Sequence, residues 1–188
     1  FTLTTLQGAW GKERRMVKTP LTPGKHAVGS ICGKTSHEAQ PFLMVSDAGA
    51  TQTRGRVYGM NLIYSGNFLA EAEADTFDRL RLSLGIHPDG FCWVLEPEKT
   101  FDTPEAVLVY SAKGIGPMTR CFHRLYRQHL IRSPYLHRDR PILINNWEAT
   151  YFNFDDEKLL SIAREAKKLG VEMLVMDDGW FGKRNADN

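Results

Sequence analysis

Residues 140–184 read RPILINNWEATYFNFDDEKLLSIAREAKKLGVEMLVMDDGWFGKR, and the order of elements in that stretch decides the fold. Ile142 to Ile144 is a short apolar run directly after Pro141, and Val171 to Met176 is a second. Runs that are apolar at nearly every position suit parallel strands covered on both faces. Between them the spacing predicts a helix. Asp155, Asp156 and Glu157 put negative charge at its start, Lys167 and Lys168 put positive charge in its last turn, and Gly170 is suited to the left-handed stop. Leu159, Ile162, Ala163, Ala166 and Leu169 fall on one face. Strand, helix and strand in this order predict a right-handed βαβ unit, whose ligands gather beyond the carboxyl ends of the strands.

Both of those ends carry chemistry. The first gives Asn145, Asn146, Trp147 and Glu148; the second gives Asp177, Asp178, Gly179 and Trp180. The loop from Asn146 to Phe154, about nine residues, exceeds the usual two to six of a βα connection. Two readings of the acidic tip stand side by side. Carboxylates accept paired hydrogen bonds from vicinal hydroxyls and an indole packs on the C–H face of a pyranose, which suggests a sugar site. Equally, either aspartate could cap a following helix with Trp180 in the core.

Upstream, Pro117 suits the first turn of a helix. Met118, Phe122, Leu125, Tyr126 and His129 form one stripe, with Arg120, Arg124 and Arg127 on the other side. Such a helix is expected to pack between two domains, and Ser133-Pro134 breaks it. In the first half, short apolar runs alternate with turn residues: Ala27–Ile31, Phe42–Val45, Val57–Tyr64, Asn67–Ala74, Leu80–Leu84, Phe91–Leu95 and Ala106–Tyr110. Leu80, Leu82 and Leu84 keep the strand period of two. Pro88-Asp89-Gly90 reads as a turn, and Ser65-Gly66-Asn67 as a hairpin corner. This density of turns predicts an antiparallel β-sandwich. His37, in SHEAQPF, reads as a hydrogen-bonding surface or strand-end residue; Trp10 with Arg14 and Arg15 reads as a solvated strand with one buried indole.

Composition bounds the function classes. The 188 residues are 42% hydrophobic and 24% charged, with a net charge of +2 that gives no argument for nucleic acid. No apolar run reaches the ~18 residues that span a membrane, and the charged, apolar, small-residue order of a secretory leader is not read in these residues, so no secretory leader is expected. The chain starts at Phe1 without Met, as a piece of something longer would. Cys32, Cys92 and Cys121 show no CxxC spacing and are expected to be small buried residues in a reducing, cytoplasmic interior. HExxH, GxxxxGK[ST], GxSxG and GxGxxG are absent and the histidines are scattered, so neither metal nor cofactor is expected.

RPILINNWEATYF and DDGWFGKR resemble the start of the catalytic barrel in glycoside hydrolase family 36, the bacterial-type α-galactosidases. GAW at Gly8 to Trp10, SHEAQPF, YGMNLIYSGNF at Tyr58 to Phe68 and TPEAVLVYS at Thr103 to Ser111 resemble that family's N-terminal β-domain. The resemblance implies a mixed fold: part of a β-supersandwich followed by the first βαβ unit of a (β/α)8 TIM barrel. The implied boundaries are a sandwich over 1–113, a linker helix and connector over 114–140, and a truncated barrel over 141–188. It further implies a retaining α-galactosidase acting on oligosaccharides such as raffinose or melibiose, homo-oligomeric at full length.

In that reading Asp177 and Asp178 bind galactose hydroxyls and Trp147 lines the pocket. Trp180, Tyr151, Arg184 and Trp10 are further candidates, and Asn145, Asn146 and Glu148 orient the contacting groups. No catalytic residue is expected before residue 188. Consecutive residues at one strand end point to opposite sides, whereas the two carboxyls of a retaining hydrolase flank one bond. The family's nucleophile word, resembling KWDMN, does not occur here. A closed barrel needs eight strands, so the piece alone is expected to be inactive. A galactosyl transferase on the same scaffold, or a non-catalytic carbohydrate-binding sandwich, are the competing readings.

Overall fold

A computed structural model of the chain describes residues 1–77 and 79–181. The chain divides into two compact units, Phe1–Leu130 and Ile131–Asn188.

The first unit is built on two antiparallel sheets. Strands β1 (Thr2–Gln7), β2 (Arg15–Pro20), β4 (Ala39–Ser46), β5 (Val57–Ile63) and β8 (Glu105–Ser111) form one, in the order β2-β1-β4-β5-β8. Strands β3 (Gly24–Ser30), β6 (Phe68–Ala74) and β7 (Leu80–Ile86) form the other, in the order β3-β6-β7. Leu3, Leu43, Val45, Met60 and Leu62 from the larger sheet meet Phe68, Ala70 and Ala72 from the smaller in one core, with Leu80, Leu82 and Leu84 packed against it. The period-two reading of Leu80 to Leu84 is therefore what places these three leucines inward.

The outer face of the larger sheet is also covered. Helix α1 (Ile115–Leu125) lays Met118 and Phe122 on Met44 and Val57. Strand β4 thus sends Leu43 and Val45 to one core and Met44 to the other, which explains why it is buried almost throughout. After α1 the backbone widens into a π-helical turn, Tyr126–Leu130. The added width shifts the phase of the stripe, so His129 is exposed where the helical spacing put it on the apolar side.

Several expectations are corrected. Phe91–Leu95 is not a strand: Phe91, Trp93, Val94 and Leu95 are all exposed, and the aromatic rings of Phe91 and Trp93 pack on Phe101 instead. β1 and β2 had no apolar run to announce them. Threonines and charged residues fill them, and pairing of β1 with β4 and of β2 with β1 carries them into the sheet. Ser65-Gly66-Asn67 is no hairpin corner, because β5 and β6 belong to different sheets; the turn carries the chain from one sheet to the other. Cys32 and Cys92 are exposed and Cys121 is half-buried, since two of them sit in connections and not in a core face. Trp10, read as a buried indole, is 86% exposed.

The second unit contains the βαβ arrangement. β9 (Leu143–Asn145) and β10 (Met173–Val175) pair in parallel, with Asn145 opposite Val175. Between them, α3 (Asp156–Lys168) starts on Asp155, whose side chain accepts the Lys158 N–H at 2.8 Å. It stops at Gly170, φ 85°, where Val171 N–H reaches Ala166 O and Gly170 N–H reaches Lys167 O, a Schellman closure. Leu159, Ile162, Ala163 and Ala166 are shielded; Leu169, expected on the same face, is 85% exposed because it sits past the last helical turn as the cap. The connection after β9 is not all loop. One helical turn, α2 (Trp147–Thr150), opens it. Along this strand pair Ile142, Leu143 and Met173 are exposed.

Candidate functional site

The carboxyl ends of β9 and β10 lie side by side because the strands run parallel in register. Asn146 follows β9 and is fully buried. Its backbone N–H donates to Val175 O at 3.2 Å, and its side-chain Oδ1 accepts the Asp177 N–H at 2.8 Å. Its Nδ2 donates to Thr150 Oγ1 at 2.9 Å, one turn along α2. Asn145 points its Oδ1 at the Trp147 N–H, 2.8 Å, and its Nδ2 at Asp177 Oδ2, 2.6 Å.

Beyond β10 the chain turns sharply. Asp178 Oδ1 accepts the Gly179 N–H at 2.8 Å. Gly179 has φ 87°, and a Cβ there would lie 3.0 Å from Phe152 and 3.3 Å from Phe154. Glycine is therefore needed twice over: for the left-handed backbone and for the close approach of the loop that follows α2. Val175, Met176, Asp177, Asp178, Trp180 and Phe181 line an open hollow of about 380 Å³. Trp180 is 63% exposed and meets Phe181 edge-on.

Trp147 is half-buried and stands edge-on to Tyr151 and Phe152, with ring centroids 5.3 and 4.9 Å away. It does not line the hollow itself; Asn145 links its backbone to Asp177. Tyr151 takes φ 47° as α2 ends, and its hydroxyl lies 3.4 Å from Glu148 Oε2. Trp10 belongs to the first compact unit. Arg184 lies outside the described residues. Among the described residues no group of three or more His, Cys, Asp or Glu side chains gathers in a metal-holding cluster, and no helix is long and apolar enough to cross a membrane.

The structure thus brings together Asp177, Asp178 and Trp180 in one hollow, with Trp147 a single side chain away. Sequence reasoning missed Thr150. Its signal was the four-residue spacing from Asn146, which stacks the two on one side of a helical turn. What the arrangement can do chemically follows from its groups: two neighbouring carboxylates accept hydroxyl hydrogen bonds while an exposed indole offers a flat apolar face.

The sequence model of the glycosyl hydrolase family 36 N-terminal domain matches residues 1–96, and the Melibiase model matches residues 100–188. The α-galactosidase AgaA of Geobacillus stearothermophilus is 50% identical over 182 residues, 97% of this chain and 25% of its own length. The crystal structure of the family 36 α-galactosidase AgaB from the same organism superposes with a TM-score of 0.95 at 48% identity, covering 99% of this chain and 26% of that one. An AgaA variant solved in complex with raffinose gives a TM-score of 0.94 at 48% identity, over 97% of this chain and 26% of that one. The chain spans about a quarter of the length of these relatives. Two sheets and a parallel strand pair that overlay so closely, at nearly half the residues identical, leave one assignment: the chain belongs to glycosyl hydrolase family 36, and carries its N-terminal β-domain and the beginning of its barrel.

Proposed function

We propose that the full-length protein is a retaining α-galactosidase that removes terminal α-linked galactose from oligosaccharides such as raffinose or melibiose. This stretch supplies the groups that hold the sugar and not those that cut it. The observation that carries the reading is the hollow at the strand ends, where Asp177 and Asp178 sit beside the exposed Trp180. Asp177 and Asp178 accept the galactose hydroxyls and Trp180 shapes the site, while Trp147 is tied to Asp177 through the Asn145 side chain. Tyr151 and Arg184 are subsidiary contacts.

The two aspartates are poor candidates for the cutting pair. They are consecutive in the chain, whereas nucleophile and acid/base stand across the scissile bond, about 5–5.5 Å apart. Those groups are proposed to lie beyond residue 188. Carboxylates that pair with an axial hydroxyl are left unpaired by the wrong epimer, and this gives the galactose preference its physical basis. The proposed division is a sandwich over 1–113, a connector over 114–140 and barrel from 141. The protein is proposed to self-associate at full length and to work in the cytoplasm; the unpaired Cys32, Cys92 and Cys121 support a reducing compartment.

The test is an assay on an aryl α-galactoside with the full-length protein and with residues 1–188 alone. Turnover by the first and none by the second is expected. Turnover by residues 1–188 at an enzyme's rate would refute the holder role. Product analysis with an added sugar acceptor separates hydrolysis from transfer.

A further inference from the structure

The two strand ends are tied by side chains as well as by backbone, and the directions of those ties are determined. Thr150 Oγ1 lies 3.1 Å from Asn146 O and 3.3 Å from Tyr151 O, so its hydrogen points to a carbonyl and its lone pair meets the Asn146 amide. The Nδ2 of Asn146 must therefore face Thr150, and its Oδ1 must face the Asp177 N–H. A flipped amide would set N–H against N–H at a fully buried position. Asn145 is fixed by the same logic. Its Oδ1 is taken by the Trp147 N–H, so Nδ2 is the end that meets Asp177 Oδ2, at the short distance of a charge-assisted bond, 2.6 Å.

We infer that Asn145 and Asn146 are positioning residues for Asp177: Asn146 fixes where its backbone leaves β10, and Asn145 fixes how its carboxylate is turned. The inference rests on the galactoside reading above. One carboxylate oxygen is held by Asn145, which keeps the other in a set direction before any sugar arrives. A carboxylate that does not have to be ordered on binding loses less freedom in the complex. The same Asn145 side chain accepts the Trp147 N–H, so one residue ties the start of α2 to the Asp177 carboxylate.

The test uses the full-length protein. Asn145→Asp preserves shape and the acceptor for the Trp147 N–H, but turns an oxygen toward Asp177 Oδ2 in place of the donor. Thr150→Val removes, at nearly constant volume, the hydroxyl that orients the Asn146 amide; Thr150→Ser keeps it. Asn145→Asp is expected to lower kcat/KM for an aryl α-galactoside by about tenfold or more, the size of one charge-assisted bond. The loss should fall on KM more than on kcat, and the preference over the matching α-glucoside should shrink, with little change in the unfolding midpoint. Thr150→Val should move KM the same way and Thr150→Ser should restore most of the loss. If both Asn145→Asp and Thr150→Val keep wild-type KM and epimer preference, the positioning role is wrong. It is equally wrong if they lose only folded protein, with KM unmoved in what remains. Absence of turnover in the wild type is a different failure: it overturns the galactosidase reading, and the positioning role with it.

Discussion

Tyr126 donates its phenol hydrogen to Asn61 Oδ1 at 2.7 Å, across sixty-five residues of chain. Asn61 in turn donates to Pro41 O at 2.9 Å, so the turn after α1 is bolted to β5 and through it to the head of β4. Burial pushes the Tyr126 hydroxyl above its ordinary ionisation range, and it stays a donor at any physiological pH. Tyr126→Phe keeps the ring contact with Phe122 and removes only the bond. The expected cost is about 1 kcal/mol, read as a lower denaturant midpoint.

At Gly59, α1 approaches the sheet closely. A Cβ there would lie 2.8 Å from both Met118 Sδ and Phe122 Cε2. Gly59→Ala should destabilise by about 1–3 kcal/mol through overpacking. The loss is read as a lower denaturant midpoint; an unchanged unfolding curve would contradict the close packing.

Asp155 caps α3 through the Lys158 N–H. Asp155→Ala should cost about 1 kcal/mol, and Asp155→Asn clearly less, because asparagine is also a good cap. Paired unfolding curves give the comparison.

Asp47 accepts the Arg56 backbone N–H at 2.8 Å and its guanidinium at 2.9 Å, and the side-chain bond to Arg56 is the main reason its carboxyl sits below the usual range. The folded chain therefore keeps this group ionised to lower pH than the unfolded chain does. The stability it brings is complete above the ordinary aspartate value of about 4 and is lost as pH falls through the lower folded value. The gap in unfolding midpoint between wild type and Asp47→Asn should be constant from pH 7 to 5 and close below pH 4.

In the full-length protein, Asp177→Asn and Asp178→Asn should each lower kcat/KM for an α-galactoside by about a hundredfold or more, since in the proposed sugar site each replaces an acceptor oxygen by a donor. Retained galactosidase activity in both variants would remove these residues from the sugar site.

Legibility followed burial. Residues 140–180 were readable because helix punctuation and apolar runs act locally: Asp155 and Gly170 sit where their chemistry demands. β1 and β2 were not, since Thr4 and Thr5 are buried by strands that arrive later in the chain, which no local pattern encodes. Phe91–Leu95 misled for the opposite reason: it is apolar, yet no described strand pairs with it. At the site, the chemical words were visible, but the amide directions of Asn145 and Asn146 depend on partners about thirty residues away.

The chain passes from one sheet to the other between β2 and β3, β3 and β4, β5 and β6, and β7 and β8. During synthesis, then, the larger sheet has no complete set of members until Ser111 has emerged, and Leu43 and Val45 wait with their apolar faces open for most of that time. Interleaved pairing of this kind folds slowly, and the waiting intermediate is prone to stick to its neighbours. Yield in a heterologous host should accordingly respond to slower translation or a holdase more than to any single stabilising substitution.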